Sequence, residues 1–145
     1  MNTLVNSALD NSLNLMDGIG GNILKGQRVV DAVMQKPTSN DYWDTIEANL
    51  LLAVVMHFCS NDDRTTDNRN LNEVYSYLKT NSVEDIIKAA DELPQNNPAY
   101  VSYSLYKSMS RLVQEGAKNG LITRLHIFLK NSEISGARTL KRMVV

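Results

Sequence analysis

The sequence predicts an all-α protein, a compact bundle of about six to seven helices around one central apolar helix. Three observations carry this. Apolar residues recur at helical spacing along most of the chain, and no strand-type alternation persists beyond about four residues. The three prolines, Pro37, Pro94 and Pro98, stand between the periodic segments, where a residue lacking a backbone N–H interrupts little. From Leu50 to Cys59 only His57 breaks an apolar run, so that segment has to be covered on several sides.

Residues 1–21, rich in Asn and Ser and ending in Gly18, Gly20 and Gly21, have no clear period and read as an irregular lead-in packed through Leu9, Leu13 and Leu15. Asn22 is placed to cap a first helix whose inward positions are Ile23, Val30, Val33 and Met34, closed by Pro37. The second helix starts at Asn40 or Asp41. Asp41, Asp44 and Glu47 load its first turns, where negative charge complements the helix dipole. Its first half is amphipathic through Trp43 and Ile46, and Leu50 to Phe58 is apolar nearly all round.

After a polar loop from Ser60 to Asn70, a short third helix, Leu71 to Lys79, puts Leu71, Val74, Tyr75 and Leu78 on one face. Ser82-Val83-Glu84-Asp85 resembles a capping box, with Asp at its third helical position, and opens a fourth helix with Ile86, Ile87, Ala90 and Leu93 inward. Pro98 presets a long fifth helix with the stripe Val101, Leu105, Met109 and Leu112, which Gly116 and Gly120 break or bend. The sixth carries Leu121, Ile122, Leu125, Phe128 and Leu129, and Gly136 ends the ordered core. At 145 residues this is a single domain, with a lead-in at 1–21, a helical core at 22–131 and a loosely ordered tail at 132–145.

Composition removes several function classes. With 43% apolar and 21% charged residues the chain is globular, and 16 acids against 15 bases give no bulk attraction to nucleic acid or membrane. Ten residues of helix span about 15 Å, half of the roughly 30 Å hydrocarbon layer, so the apolar run is a buried helix. Met1 to Ser7 has neither the basic start nor the apolar core of a secretory signal. The lone Cys59 excludes an internal disulfide framework and a cysteine-cluster metal site, and suits a reducing intracellular compartment.

Short chemical patterns fail on their required context. Gly18-Ile19-Gly20-Gly21 starts like a dinucleotide loop, but its last glycine position is Ile23 and no strand precedes it. No Gly-Lys-Ser/Thr phosphate cradle exists in the chain. Ser104-Leu105-Tyr106-Lys107 matches a Ser-x-x-Lys nucleophile without the companion motifs of that enzyme class. The acidic stretch from Asn61 to Glu73 lacks the glycine of a calcium loop. His57 and His126 are too few for zinc; the first reads as a core histidine bonded to a neighbour, the second as a residue at the rim. Cys59 reads as a small buried hydrophobe, and Trp43, Tyr100, Tyr103 and Tyr106 read as packing rings rather than a base-stacking surface. No catalytic, cofactor-binding or metal-ligating residue is therefore expected.

Charge is unevenly placed. Residues 1–72 hold nine acids and five bases, a net −4, and residues 73–145 hold seven acids and ten bases, a net +3. The late excess includes Lys107, Arg111, Lys118, Arg124 and Lys130, which are the candidate contacts for phosphates or an acidic partner. An ordinary solvated helix face is the alternative reading of the same residues.

The order of features resembles the all-α domain of type IV coupling proteins, the TraG-like DNA-pumping ATPases of conjugation and type IV secretion. The resemblance rests on Asp41-Tyr42-Trp43-Asp44 leading into Ile46 to Phe58, then Leu71 to Leu78, then Leu93-Pro94 with Asn97-Pro98-Ala99, then Gly120 to Leu129, and covers roughly residues 9–138. Asn11-Ser12-Leu13-Asn14 is similar to the family's Asn-Pro-Leu-Asp, with Ser and Asn at two positions. The resemblance implies a domain excised from a larger ATPase, whose phosphate-binding loop and acidic strand lie outside it. It implies a non-catalytic module that binds no cofactor and recognises relaxase or accessory processing proteins, with single-stranded DNA as a further ligand. It also implies a cytoplasmic domain without direct membrane contact, on a membrane-anchored hexameric parent; the isolated domain is expected to be monomeric. A free-standing helical adaptor acting through protein contacts is the alternative.

Overall fold

The computed structural model describes residues 16, 19–20, 22–34, 41–60 and 70–144, with side chains described as far as residue 131. The described residues form six helices and no strand: α1 Ile23–Val33, α2 Asp41–Cys59, α3 Leu71–Thr80, α4 Val83–Asp91, α5 Pro98–Ser108 and α6 Arg111–Val144. The all-α bundle is therefore as expected. Packing through Leu9, Leu13 and Leu15, closure at Pro37 and the loop at 61–69 fall outside the described residues.

α2 is the hub, in contact with α1, α3, α5 and α6 and most extensively with α5. Leu50, Leu51, Ala53, Val54, Val55 and Met56 are all fully buried, which is what an all-round apolar helix requires. α1 crosses it closely at Gly26, where a Cβ would lie 2.5 Å from Met56 Sδ. The Asn22 side chain accepts the N–H groups of Leu24 and Lys25 at 3.0 and 3.3 Å and so caps α1. The buried face is Gly26, Val29, Val30 and Val33; Ile23, expected inward, lies in the first turn, ahead of that face, and is 45% exposed.

The remaining helix starts are built as their sequences require. The Asn70 side chain caps α3 at the Glu73 N–H (3.0 Å), and α3 buries Leu71, Val74 and Leu78. Ser82 and Asp85 form the capping box of α4, which buries Val83, Ile86 and Ala90. Asn97 Oδ1 accepts the Ala99 N–H at 2.9 Å ahead of Pro98. The same oxygen accepts the Ser60 hydroxyl at 3.2 Å, which ties the end of α2 to the start of α5.

The break between the last two helices lies elsewhere than the glycines indicate. α5 ends at Ser108, Met109 is extended (φ −80°, ψ 158°), and Ser110 Oγ accepts the Val113 N–H at 3.3 Å to start α6. The expected stripe is thereby split: Val101 and Leu112 are 69% and 82% exposed, and α5 buries Ala99, Ser102, Tyr103 and Tyr106 instead. Gln114, 5% exposed, sends its amide N–H to the carbonyls of Tyr106 (3.0 Å) and Lys107 (3.4 Å), satisfying the open end of α5. The Tyr106 hydroxyl returns a bond to the Gln114 carbonyl at 2.8 Å. Burial holds that phenol well above its ordinary ionisation range.

α6 runs unbroken through Gly116, Gly120 and Gly136. The expectation of breaks there is corrected by what faces the first two. A Cβ at Gly116 would stand 2.9 Å from the Trp43 ring, and one at Gly120 would stand 2.6 Å from Glu47 Oε2. These glycines let α6 approach the first half of α2, and the helix tolerates them because that contact outweighs a propensity cost of about 1 kcal/mol each.

Candidate functional site

The five basic candidates do not share one face. Lys107, near the end of α5, is ion-paired with Asp91 of α4, and its ammonium lies 5.7 Å from the Tyr100 ring centroid. Arg111, at the start of α6, is ion-paired with Glu84 of α4. Hydrogen bonding in these pairs raises the pKa of Lys107 and Arg111 above their ordinary values and lowers that of Glu84. The helix break at Met109–Ser110 puts Lys107 and Arg111 on separate helices. Lys118 is half-buried and Lys130 is exposed.

Arg124 points into the bundle. Its side chain is 14% exposed and clamps two carboxylates of α2: Nε donates to Glu47 Oε1 at 2.7 Å, and the guanidinium also bonds Asp44. Asp44 and Glu47 are themselves only 13% and 8% exposed. Gly120, one turn before Arg124, leaves the space in which the Glu47 carboxylate sits. Burial pushes the Glu47 carboxyl above its ordinary value; Arg124 pulls it down and Asp44 adds a smaller push upward. This cluster fastens α6 to α2 and is spent on the fold.

A different cationic surface forms along the seam of α3 and α6. Tyr75 of α3 meets His126 of α6, with the phenol oxygen 3.4 Å from Nδ1 and ring centroids 6.1 Å apart at an interplanar angle of 32°. Lys79 lies one turn along α3 with its ammonium 5.1 Å from the Tyr75 ring centroid. Lys130 follows His126 by one turn on α6. The sequence places Tyr75 on a core-facing stripe and His126 at a rim; the structure leaves Tyr75 half-buried and His126 exposed. Only the contact between their two helices makes them a pair, and no local signal in either helix announces it.

The other candidates are structural. His57 is half-buried, with Nδ1 3.2 Å from the Tyr103 hydroxyl and the two rings edge to face. Tyr103 and Tyr106 are fully buried, which removes them from any base-stacking surface, and Trp43 packs on Gly116 and edge-on against Tyr42. Cys59 is buried, its thiol 3.7 Å from the Met16 carbonyl oxygen. Among the described residues no group of three or more His, Cys, Asp or Glu is placed to hold a metal ion, and no helix is long and apolar enough to cross a membrane. Comparison with protein-family models, with curated proteins and with solved structures finds no match to this chain.

Proposed function

We propose that this chain is the substrate-recognition domain of a conjugative type IV coupling protein, contacting relaxase or accessory processing proteins and single-stranded DNA. It catalyses nothing by itself; ATP hydrolysis belongs to the parent ATPase, a hexamer anchored at the cytoplasmic face of the membrane. The observation that supports the reading is the arrangement of the segments that carry the resemblance. The Tyr42-Trp43 pair opens a central apolar helix, and the Asn97-Pro98-Ala99 segment opens the helix packed most extensively against it. The segments that resemble the family in sequence are thus partners in one core, as a shared domain requires.

The flanking reading frame tests this. A Gly-Lys-Ser/Thr phosphate loop encoded upstream and an Asp-Glu strand encoded downstream are expected, because the family inserts this domain between them. A frame with neither element contradicts the reading and leaves a free-standing helical adaptor.

A further inference from the structure

We propose that the α3–α6 seam, through Lys79, Tyr75, His126 and Lys130, is the surface that takes a single-stranded nucleic acid. The inference rests on the reading above and assigns its DNA contact to a surface that keeps Lys130 of the five basic candidates and leaves out Lys107, Arg111, Lys118 and Arg124. The contrast between two lysines over tyrosines carries it. Lys107 lies over Tyr100 but is ion-paired with Asp91, whereas Lys79 lies over Tyr75 with no carboxylate among the described residues at ion-pair distance. Lys130 is exposed and likewise outside the ion pairs that hold Lys107, Arg111 and Arg124.

The surroundings favour an anion. On α3 the one carboxylate, Glu73, stands two residues before Tyr75, about 200° around the helix and so on nearly the opposite side. On α6 Glu115 precedes His126 by three turns, about 16 Å, and Glu133 follows Lys130 by three residues, one acid in sequence reach of a seam that carries both Lys79 and Lys130. The other exposed cations compare poorly: Lys88 shares its short helix with Glu84, Asp85 and Asp91, and Lys25 and Arg28 on α1 have no ring contact among the described residues. A flexible strand needs cations for its phosphates beside a ring for its bases, and the exposed His126 face supplies the ring. A folded acidic protein needs no ring, which is why the strand is favoured.

The test is fluorescence anisotropy of a labelled oligothymidine of about 16 nucleotides with the full chain at 50 and 200 mM salt. Two phosphate contacts on a single strand give a slope near −1.4, so affinity falls at least about sevenfold between those salts. Lys79→Glu with Lys130→Glu is expected to weaken binding at least about tenfold at the lower salt, and His126→Ala about fivefold. The charge-matched pair Lys25→Glu with Arg28→Glu is expected to retain binding within about twofold. Circular dichroism on each variant keeps folding separate from binding. Equal losses in the two charge-reversed pairs, or none in either, overturn the seam while leaving the proposed function standing. Failure of the wild-type chain to bind the strand while it still binds a relaxase overturns the nucleic-acid occupant alone; failure to bind either overturns both.

Discussion

Replacing Arg124 with Met removes the charge from the centre of the α2–α6 contact while keeping much of the side-chain volume. The magnitude follows from exposure. Surface ion pairs contribute about 0.2–1 kcal/mol, whereas removing one partner of a buried pair costs about 3–5 kcal/mol because the other charge is left behind. Here the guanidinium is 14% exposed and the carboxylates of Asp44 and Glu47 are 13% and 8% exposed, so the buried regime applies. Two carboxylates lose their shared cation at once, which places the expected loss near the top of that range, about 4 kcal/mol. With a urea m-value of about 2 kcal/mol/M, the unfolding midpoint at pH 7 should fall by about 2 M. A further result is diagnostic: Asp44→Asn with Glu47→Gln in the Arg124→Met background should restore most of the stability. A midpoint within about 0.5 M of wild type at pH 7, or no recovery in the triple variant, would refute the assignment of Arg124 to the core.

Three other outcomes follow from the same geometry. Because burial raises the Glu47 carboxyl above about 4.5, its contribution is fully present below that value and is lost as pH rises through the raised one; Glu47→Gln should flatten this part of the stability–pH curve, measured by urea titration. Gly120→Ala should change sign with context: destabilising in the wild type, where the new Cβ meets the Glu47 carboxylate, and stabilising by up to about 1 kcal/mol over Glu47→Ala, where only helix propensity remains. Tyr106→Phe should cost about 1 kcal/mol in thermal or urea unfolding, since the Gln114 carbonyl loses its buried donor, and an unchanged midpoint would remove that bond from the α5–α6 junction.

What the sequence made legible is what short stretches decide. The all-round apolar segment Leu50–Phe58 demands a hub, and Asn22, Ser82–Asp85 and Asn97–Pro98 announce helix starts through bonds to residues two or three positions away. Features set by distant partners were hidden. Gly116 and Gly120 resemble helix breakers until Trp43 and Glu47 are seen against them, and Arg124 resembles a surface cation until its carboxylates, 77 and 80 residues earlier, are brought beside it. The apolar spacing Val101, Leu105, Met109 and Leu112 continues across the Met109–Ser110 break, so periodicity alone joined two helices that Gln114 and Tyr106 hold as separate pieces. The Tyr75–His126 pair depends on the same kind of information, since its rings stand on helices 51 positions apart.

Native-state hydrogen exchange read residue by residue tests the central claim, that α2 is the hub on which α1, α3, α5 and α6 are packed. Amides from Leu50 to Phe58 should exchange last, at the free energy of global unfolding, after those of the α3 and α4 termini. Exchange of Leu50–Phe58 as fast as the exposed faces of α3 or α4 would contradict the account.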